Sequence, residues 1–316
     1  MGGGADVALT ARAYRRRMQR ATYDIRGGGG IRLHAREWGN PEGQALLLIH
    51  GWSQCDLCWT KQVNGELAEE FRIVTFDLRG HGLSEKPEGT APYADGRLWA
   101  DDVAAVIEQA RLQQPVVVGW SYGGFVIGDY LSAYGDASIA AINLVGAAMI
   151  LKPPTFDHLG PGMLANAGDA CAADLATNIA AIRRFVRACT AESLDQDDWL
   201  TALCWNMVVP PSVRGALISR EIDGSDALAA SSVPVLVTHG RDDAIVLPSM
   251  SERTLGICDR AVASWYDGVG HMPFWEAPER FDRELGQLAR GEILASHADH
   301  PQQHRNAEGP GRLVHG

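Results

Sequence analysis

The sequence predicts an α/β protein in which helices cover both faces of a mostly parallel central sheet. Five short apolar runs, each bounded by turn residues, indicate buried strands. They are ALLLIHG (45–51), FRIVTFD (71–77), PVVVGWS (115–121), IAAINLVGA (139–147) and PVLVTHG (234–240). Helical periodicity occurs in segments 95–112, 123–134, 248–257 and 276–290. Such alternation of strands and helices is typical of parallel sheets with helical connections.

Two further elements flank these runs. The stretch TYDIRGGGGIRLHAREWG (22–39) predicts an antiparallel hairpin that leads into the sheet. The stretch SWYDGVGH (264–271) predicts one more strand near the other end. A core of residues 21–150 and 232–290 therefore holds the sheet.

The remaining segments differ in character. Residues 151–231 show helical stretches but no convincing strand, although they separate two strands that should be neighbours. We interpret them as a helical cap over the carboxyl edge of the sheet, which is where ligands bind in open parallel sheets. Residues 1–20 and 291–316 are polar and lack periodicity, so we expect flexible tails there.

Composition narrows the class of partner. The chain has 316 residues and a formal net charge of −11, with a sequence pI near 5.3. This charge argues against nucleic acid or an anionic membrane surface as a partner. The chain has no apolar run near the ~20 residues that a membrane span needs, and its first residues lack the apolar core of a signal peptide. We therefore expect a cytoplasmic protein; the sequence leaves its oligomeric state open.

Cysteine usage fits that compartment. Of six cysteines, Cys55 and Cys58 form a C-x-x-C pair that could be redox-active. No second pair follows at zinc-site spacing, and no thioredoxin-like context surrounds the first. We interpret them as two free thiols one turn apart.

The clearest chemical signal is Gly119-Trp-Ser121-Tyr-Gly123, a G-x-S-x-G pattern between a predicted strand and a predicted helix. That context is the one required of a nucleophile elbow, in which a strained turn projects the serine from the sheet. Glycines two residues to either side relieve the crowding. Read alone, the pattern also fits a glycine-rich turn with an incidental serine.

A serine nucleophile needs a base and an acid that orients the base. The stretch HGRDDAIV (239–246) follows a strand and offers Asp242 and Asp243. The stretch GVGHMPFWEAPERF (268–281) follows the next strand and offers His271. All these candidates come after strand ends, so we expect them to meet at one edge of the sheet.

Five motifs in order, over roughly residues 22–290, resemble the serine hydrolases of the α/β-hydrolase superfamily, in its carboxylesterase and cofactor-free haloperoxidase-like branch. The motifs are His50-Gly51-Trp52, Asp77-Leu-Arg79-Gly80-His81-Gly82-Leu-Ser84, the Ser121 elbow, Gly240-Arg-Asp-Asp243 and Gly270-His271. The family often has proline four residues after the acid, where this chain has Leu247 followed by Pro248.

The resemblance implies a Ser121–His271–Asp243 catalytic triad, with Asp243 chosen over Asp242 by the G-x-x-D motif. It also implies an oxyanion hole formed by the backbone N–H groups of Trp52 and Tyr122, and no cofactor or metal.

Nine tryptophans are many for this length, and several lie beside the motifs. They favour an aromatic-rich, apolar substrate pocket, for which we name Trp120, His158, Trp205 and Trp275.

The sequence thus predicts a carboxylic ester hydrolase for small to medium apolar or aromatic esters, with lactones also open. A cofactor-free perhydrolase or haloperoxidase, or a C–C bond hydrolase, would use the same three residues. A small-molecule receptor on the same fold is a more remote alternative.

Overall fold

An eight-stranded mixed sheet forms the centre of the protein, in a computed structural model that describes residues 19–152 and 155–293. Its strands are β1 (Gln19–Arg26), β2 (Arg32–Gly39), β3 (Ala45–Ile49), β4 (Arg72–Phe76), β5 (Val116–Trp120), β6 (Ala141–Val145), β9 (Val235–Gly240) and β10 (Ala261–Tyr266). They lie in the order β1-β2-β4-β3-β5-β6-β9-β10. Two short strands, β7 (Ile150–Leu151) and β8 (Ile222–Asp223), form a separate antiparallel pair.

Strand pairing confirms the predicted fold class. β1 pairs with β2, and β2 with β4, in antiparallel fashion, whereas all other neighbours in the large sheet are parallel. Every residue of β3, β5, β6 and β9 is buried, which explains their continuous apolar runs. The edge strand β1 instead carries mostly exposed or half-buried residues.

Helices fill the connections. They are α1 (Thr60–Val63), α2 (Leu67–Glu70), α3 (Ala91–Ala94), α4 (Gly96–Gln109), α5 (Tyr122–Tyr134), α6 (Pro161–Leu164), α7 (Ala167–Ala170), α8 (Leu175–Ala188), α9 (Gln196–Met207), α10 (Pro211–Ile218), α11 (Ser225–Ala229), α12 (Pro248–Ile257), α13 (Pro273–Glu276) and α14 (Pro278–Ala289). Short 3₁₀ turns occupy Gly28–Gly30, Asp56–Trp59 and Thr155–His158. The side chains of Asp95, Asp174 and Asp195 accept backbone N–H groups at the starts of α4, α8 and α9, as N-cap residues do.

Two boundaries differ from the sequence predictions, and a third falls mostly outside the described residues. The last strand covers Ala261–Tyr266 rather than 264–271, because an Asp-Gly turn with φ +71° at Gly268 ends it. The predicted N-terminal tail, 1–20, runs two residues too far, since β1 begins at Gln19 and the Arg20 side chain donates to the Gly39 carbonyl. The predicted C-terminal tail, 291–316, lies outside the described residues except for 291–293.

Residues 151–231, called the cap below, lie in the chain between β6 and β9, which are neighbours in the large sheet. Their described part holds α6 to α11 and β8, together with the end of β7, which the sequence analysis did not foresee. Two-residue strands are too short to show the alternation by which strands are recognised. In the described chain, no helix has the length and apolarity to cross a bilayer.

Candidate active site

Ser121 lies at the turn between β5 and α5, in a backbone conformation that residues other than glycine rarely adopt. Its φ is 55° and its ψ is −114°, and such strain is typical of functional positions. The flanking glycines make the turn feasible. A Cβ on Gly119 would lie 2.7 Å from the Gly123 carbonyl oxygen, and one on Gly123 would lie 2.7 Å from the Ile49 carbonyl oxygen. The sharp turn therefore depends on glycine at both positions.

His271 and Asp243 are in direct contact. Nδ1 of His271 lies 2.7 Å from Oδ2 of Asp243, and both side chains are buried. The other oxygen of Asp243 accepts the backbone N–H groups of Ile245 and Val246, at 2.8 and 3.0 Å. Asp242 is exposed instead. The buried carboxylate therefore meets the imidazole, as the sequence predicts for Asp243.

The electrostatics of Asp243 favour its ionised form. Burial opposes ionisation, but the electrostatic interaction with the His271 imidazole and the hydrogen bonds from His239 and His271 outweigh it. Together they lower the pKa of Asp243 to about 2. The carboxylate is thus poised to stabilise a positive charge on His271.

Ser121 and His271 converge at the end of β6. The Val145 carbonyl accepts from Ser121 N at 3.0 Å, and a Cβ on the next residue, Gly146, would lie 3.1 Å from His271 Nδ1. The Trp120 indole also donates to the His271 carbonyl at 2.9 Å. Within the described residues, the Ser121 hydroxyl makes no hydrogen bond. The structure thus brings the three predicted catalytic residues to one edge of the sheet, with the acid and the base hydrogen-bonded.

The loop Gly51–Gln54, called the oxyanion loop below after its predicted role, passes beside Ser121. A Cβ on Gly51 would lie 3.0 Å from Ser121 Cβ. Trp52 belongs to this loop, and Tyr122 begins α5, where a backbone N–H has no partner within the helix. Both residues predicted as backbone donors therefore neighbour the serine in sequence or in space.

Two buried histidines support this loop. Nε2 of His50 accepts the N–H of Leu78 at 3.0 Å, and Nε2 of His81 accepts that of Ser53 at 3.3 Å. Nδ1 of His50 therefore carries the proton and donates to the Gly51 carbonyl at 2.8 Å. Burial lowers the pKa of both histidines, which suits these neutral roles.

The cap is hydrogen-bonded to the loops that carry the acid and the base. Gly160 N and Gly162 N donate to the carbonyls of Ile245 and Ala244, each at 2.8 Å. The Cys189 carbonyl accepts the N–H of His271 at 2.9 Å. Cap and catalytic loops therefore form one connected structure.

A cavity of about 210 Å³ opens beside Ser121, between the sheet edge and the cap. Apart from Ser121, its wall is apolar or aromatic. It consists of Trp52, Tyr122, Phe125, Ala148, Leu151, Leu159, Met163, Leu164, Ala167, Phe185, Ile218, Ile245 and Val246. Core and cap contribute to it about equally.

The four predicted pocket residues are absent from this wall, and their polar atoms have partners elsewhere. The indole N–H groups of Trp120, Trp205 and Trp275 donate to the His271 carbonyl, to Gln54 Oε1 and to Asp198 Oδ2, respectively. His158 bonds through Nδ1 to Ser249 Oγ at 2.9 Å.

One group of potential metal ligands occurs in residues 19–152 and 155–293. It consists of Cys55, Asp56 and Asp77, all buried. Arg36 pairs with Asp56 at 2.9 Å, and Asp77 accepts the N–H groups of Asp56 and Leu83 at 2.9 and 2.8 Å. The carboxylate oxygens are thus already engaged, and the group fits a structural role better than a cation site.

The C-x-x-C cysteines are free thiols. Cys55 and Cys58 are both buried, and the N–H of Cys58 donates to the Cys55 carbonyl at 3.1 Å, so they lie one turn apart. Burial raises the pKa of both thiols, which disfavours the thiolate that redox chemistry requires.

Comparison with known proteins decides the family. Residues 46–284 match the model of the alpha/beta hydrolase family. The chain belongs to this family. A solved structure described as a proposed aryl esterase, from Burkholderia cenocepacia, is 36% identical to this hydrolase, with a TM-score of 0.81 over 87% of this chain and 100% of that one.

Two further relatives resemble the hydrolase over most of its length. The esterase RhEst1 from Rhodococcus sp. ECU1013 is 33% identical, with a TM-score of 0.81 over 86% of this chain and 99% of that one. The bifunctional esterase/perhydrolase DCH of Acinetobacter calcoaceticus is 28% identical over 270 residues, 81% of this chain and 95% of that protein. The hydrolase is therefore esterase-like.

Some residues of the hydrolase's site escaped the sequence analysis. His239 lies on β9 and reads as an ordinary buried strand residue, yet its Nε2 lies 3.2 Å from Asp243 Oδ2. Phe125 follows Ser121 by one helical turn, a spacing that could have placed it beside the nucleophile. Arg214 carried no signal in the sequence, because its contacts depend on how the cap folds over the oxyanion loop.

Proposed function

We propose that this hydrolase cleaves carboxylic esters through an acyl-enzyme formed on Ser121. The observation that supports this most is the buried 2.7 Å contact between His271 and Asp243 at the sheet edge that carries the strained Ser121. A nucleophile elbow, an oriented imidazole and a low-pKa carboxylate are the parts that acyl transfer to serine requires.

In the proposed mechanism, Ser121 Oγ attacks the ester carbonyl while Nε2 of His271 takes its proton. Asp243 holds Nδ1–H and stabilises the imidazolium. The N–H groups of Trp52 and Tyr122 bind the negative oxygen, and the N-terminus of α5 adds a favourable dipole. His271 then protonates the leaving alcohol. Water, deprotonated by His271, releases the acid from Ser121. Nucleophile and base often reach hydrogen-bonding distance only with substrate in place.

The cavity supports a substrate with an apolar acyl or alcohol part. Its wall has no charged side chain, so a charged group placed there would lose its hydration without compensation. A volume of about 210 Å³ suits a small to medium group, such as an aryl ring or a short branched chain. Aryl esters and lactones of this size are therefore the proposed substrates.

A perhydrolase activity is the second candidate. It is favoured by the resemblance to a relative named as both esterase and perhydrolase. In that reaction hydrogen peroxide replaces water, attacks the acyl group on Ser121, and leaves as a peracid while Ser121 regains its proton.

The deciding experiment combines active-site labelling with burst kinetics. Ser121→Ala should abolish turnover of p-nitrophenyl esters and labelling by a fluorophosphonate, whereas Ser132→Ala on α5 should retain both. Substantial turnover by Ser121→Ala would remove Ser121 from the nucleophile role. Rapid labelling with negligible turnover would favour a receptor, and peracid formation far above ester turnover would favour the perhydrolase.

A further inference from the structure

A fully buried arginine of the cap, Arg214 on α10, contacts the oxyanion loop. Its Nε donates to Ser53 Oγ at 2.8 Å. Its backbone carbonyl accepts the indole N–H of Trp52 at 3.1 Å. The next loop residue, Gln54, accepts the indole N–H of Trp205 on α9 at 2.6 Å. Three consecutive side chains of the oxyanion loop are thus fixed by the cap.

The guanidinium of Arg214 has only neutral partners in the described chain. Besides Ser53, it donates to the carbonyls of Ala170 and Asn206, at 2.8 and 2.7 Å, and to Asn178 Oδ1 at 3.1 Å. No carboxylate there pairs with it. Burial lowers the pKa of Arg214 to about 10, so it remains charged at neutral pH. A buried charge without a counter-charge is costly to keep.

The other two buried arginines among the described residues are neutralised. Arg79 pairs with Asp102 at 2.7 Å, and Arg220 with Asp129 at 2.8 Å. Arg214 therefore differs from them in charge balance, and its guanidinium contacts Ser53, the residue that follows the proposed donor Trp52 in the oxyanion loop. In a water-poor site, a fixed positive charge stabilises an oxyanion far more than it does in bulk water.

We propose that Arg214 is a positioning residue that holds the oxyanion loop in its donor geometry, and that its charge favours the anionic tetrahedral intermediate. This rests on the proposed function. The cap thus shapes the substrate cavity and also supports the reacting centre. The backbone strain at Ser53, with φ +63°, is consistent with a loop that needs such support.

A pair of ketones tests the proposal. A trifluoromethyl ketone is attacked by Ser121 Oγ: a C–O bond forms, the carbonyl π bond becomes an oxyanion, and the serine proton passes to His271. The matched methyl ketone fills the cavity without forming much of this adduct. The dissociation constant of the methyl ketone divided by that of the trifluoromethyl ketone, called the ketone ratio, therefore reports oxyanion stabilisation separately from cavity binding.

Arg214→Met should weaken binding of the trifluoromethyl ketone and lower kcat/KM, each by about 10- to 100-fold. This is less than the about 100- to 1000-fold cost of losing an oxyanion donor outright, because Arg214 only supports the donor loop. Its methyl ketone affinity should change little. Arg214→Lys keeps the charge and should lose less. The half-exposed cap arginine in Arg184→Met is the matched control and should behave as wild type.

An unchanged ratio in Arg214→Met would overturn the proposal. Equal losses of affinity for both ketones are one such outcome, and they would report a damaged cavity. If Arg214→Lys binds the trifluoromethyl ketone as weakly as Arg214→Met does, the proposed role of the charge is overturned. If Arg214→Met does not fold, Ser53→Ala must lower the ratio instead, and an unchanged ratio there overturns the proposal. Failure of the proposed function looks different: the wild type itself would bind both ketones equally, and Ser121→Ala would change neither.

Discussion

The imidazole of His239 lies 3.2 Å from Asp243 Oδ2, the same oxygen that binds His271 at 2.7 Å. His239 accepts from Ser251 Oγ at Nδ1 and donates to the Val246 carbonyl at 2.9 Å, so its ring is fixed on both sides. The carboxylate of Asp243 is thereby enclosed by two imidazoles and two backbone N–H groups. This enclosure fixes the rotamer of Asp243, although the Nε2–H of His239 is shared between its carboxylate and the Val246 carbonyl.

Asp243→Asn should reduce kcat by about 10⁴-fold while substrate binding changes little, because an amide leaves the imidazole in the wrong tautomer. Asp242→Asn removes an exposed carboxylate one residue away and should stay near wild type. Steady-state kinetics on one p-nitrophenyl ester compares the two. A larger loss in Asp242→Asn would transfer the acid role to that residue.

Ala167→Leu should narrow the cavity, since Ala167 lines it from the cap. We expect kcat/KM for p-nitrophenyl benzoate to fall by about tenfold or more, as overpacking a fitted site costs about 1–3 kcal/mol. The value for p-nitrophenyl acetate should remain near wild type, because an acetyl group does not reach the wall. Parallel losses for both esters would contradict the assignment of this cavity to the acyl group.

Asp282 provides a pH-dependent test of stability. Burial, aided by the charges of Glu279 and Glu66, raises the pKa of Asp282 to about 7, above about 3.9 in an unfolded chain. Between these values the folded state binds more protons than the unfolded state, so Asp282 lowers stability as pH rises.

Asp282→Asn keeps an acceptor for Gln62 Nε2, which lies 3.1 Å from Asp282 Oδ1, but never ionises. Its Tm relative to wild type should increase from about pH 4 to about pH 7 and then level off. Thermal unfolding across this range measures the difference. A constant offset at all pH values would show that the carboxyl is not perturbed.

Replacing both Cys55 and Cys58 by alanine should leave kcat/KM near wild type and insensitive to reductant. Both thiols are buried, so each loss should cost only stability, on the order of 1 kcal/mol. Activity assays with and without dithiothreitol, together with Tm, check this. A large loss of activity in a folded double variant would revive a chemical role for the pair.

The features that could be predicted from the sequence are those that depend on a local pattern of residues. Buried parallel strands show as unbroken apolar runs, and the sharp turn shows as glycines spaced around Ser121, so the sheet and the strained turn at Ser121 follow from the sequence. The pocket did not follow, because the direction of a tryptophan side chain depends on contacts with segments that are distant in sequence. Trp120 and Trp205 donate to His271 and Gln54 and lie outside the cavity wall, whereas Trp52, which donates to the Arg214 carbonyl, is part of it. The role we propose for Arg214 likewise depends on contacts between segments about 160 positions apart, as between Ser53 and Arg214.

The bonds from Gly160, Gly162 and Cys189 to the segments around Asp243 and His271 carry a consequence for engineering. A chimera that imports a cap from a relative would break the backbone hydrogen bonds to the segments around Asp243 and His271, and it would also change the wall of the cavity beside Ser121. The cap therefore cannot be exchanged alone. A successful graft would also have to include the segments around Asp243 and His271 that bond to the imported cap.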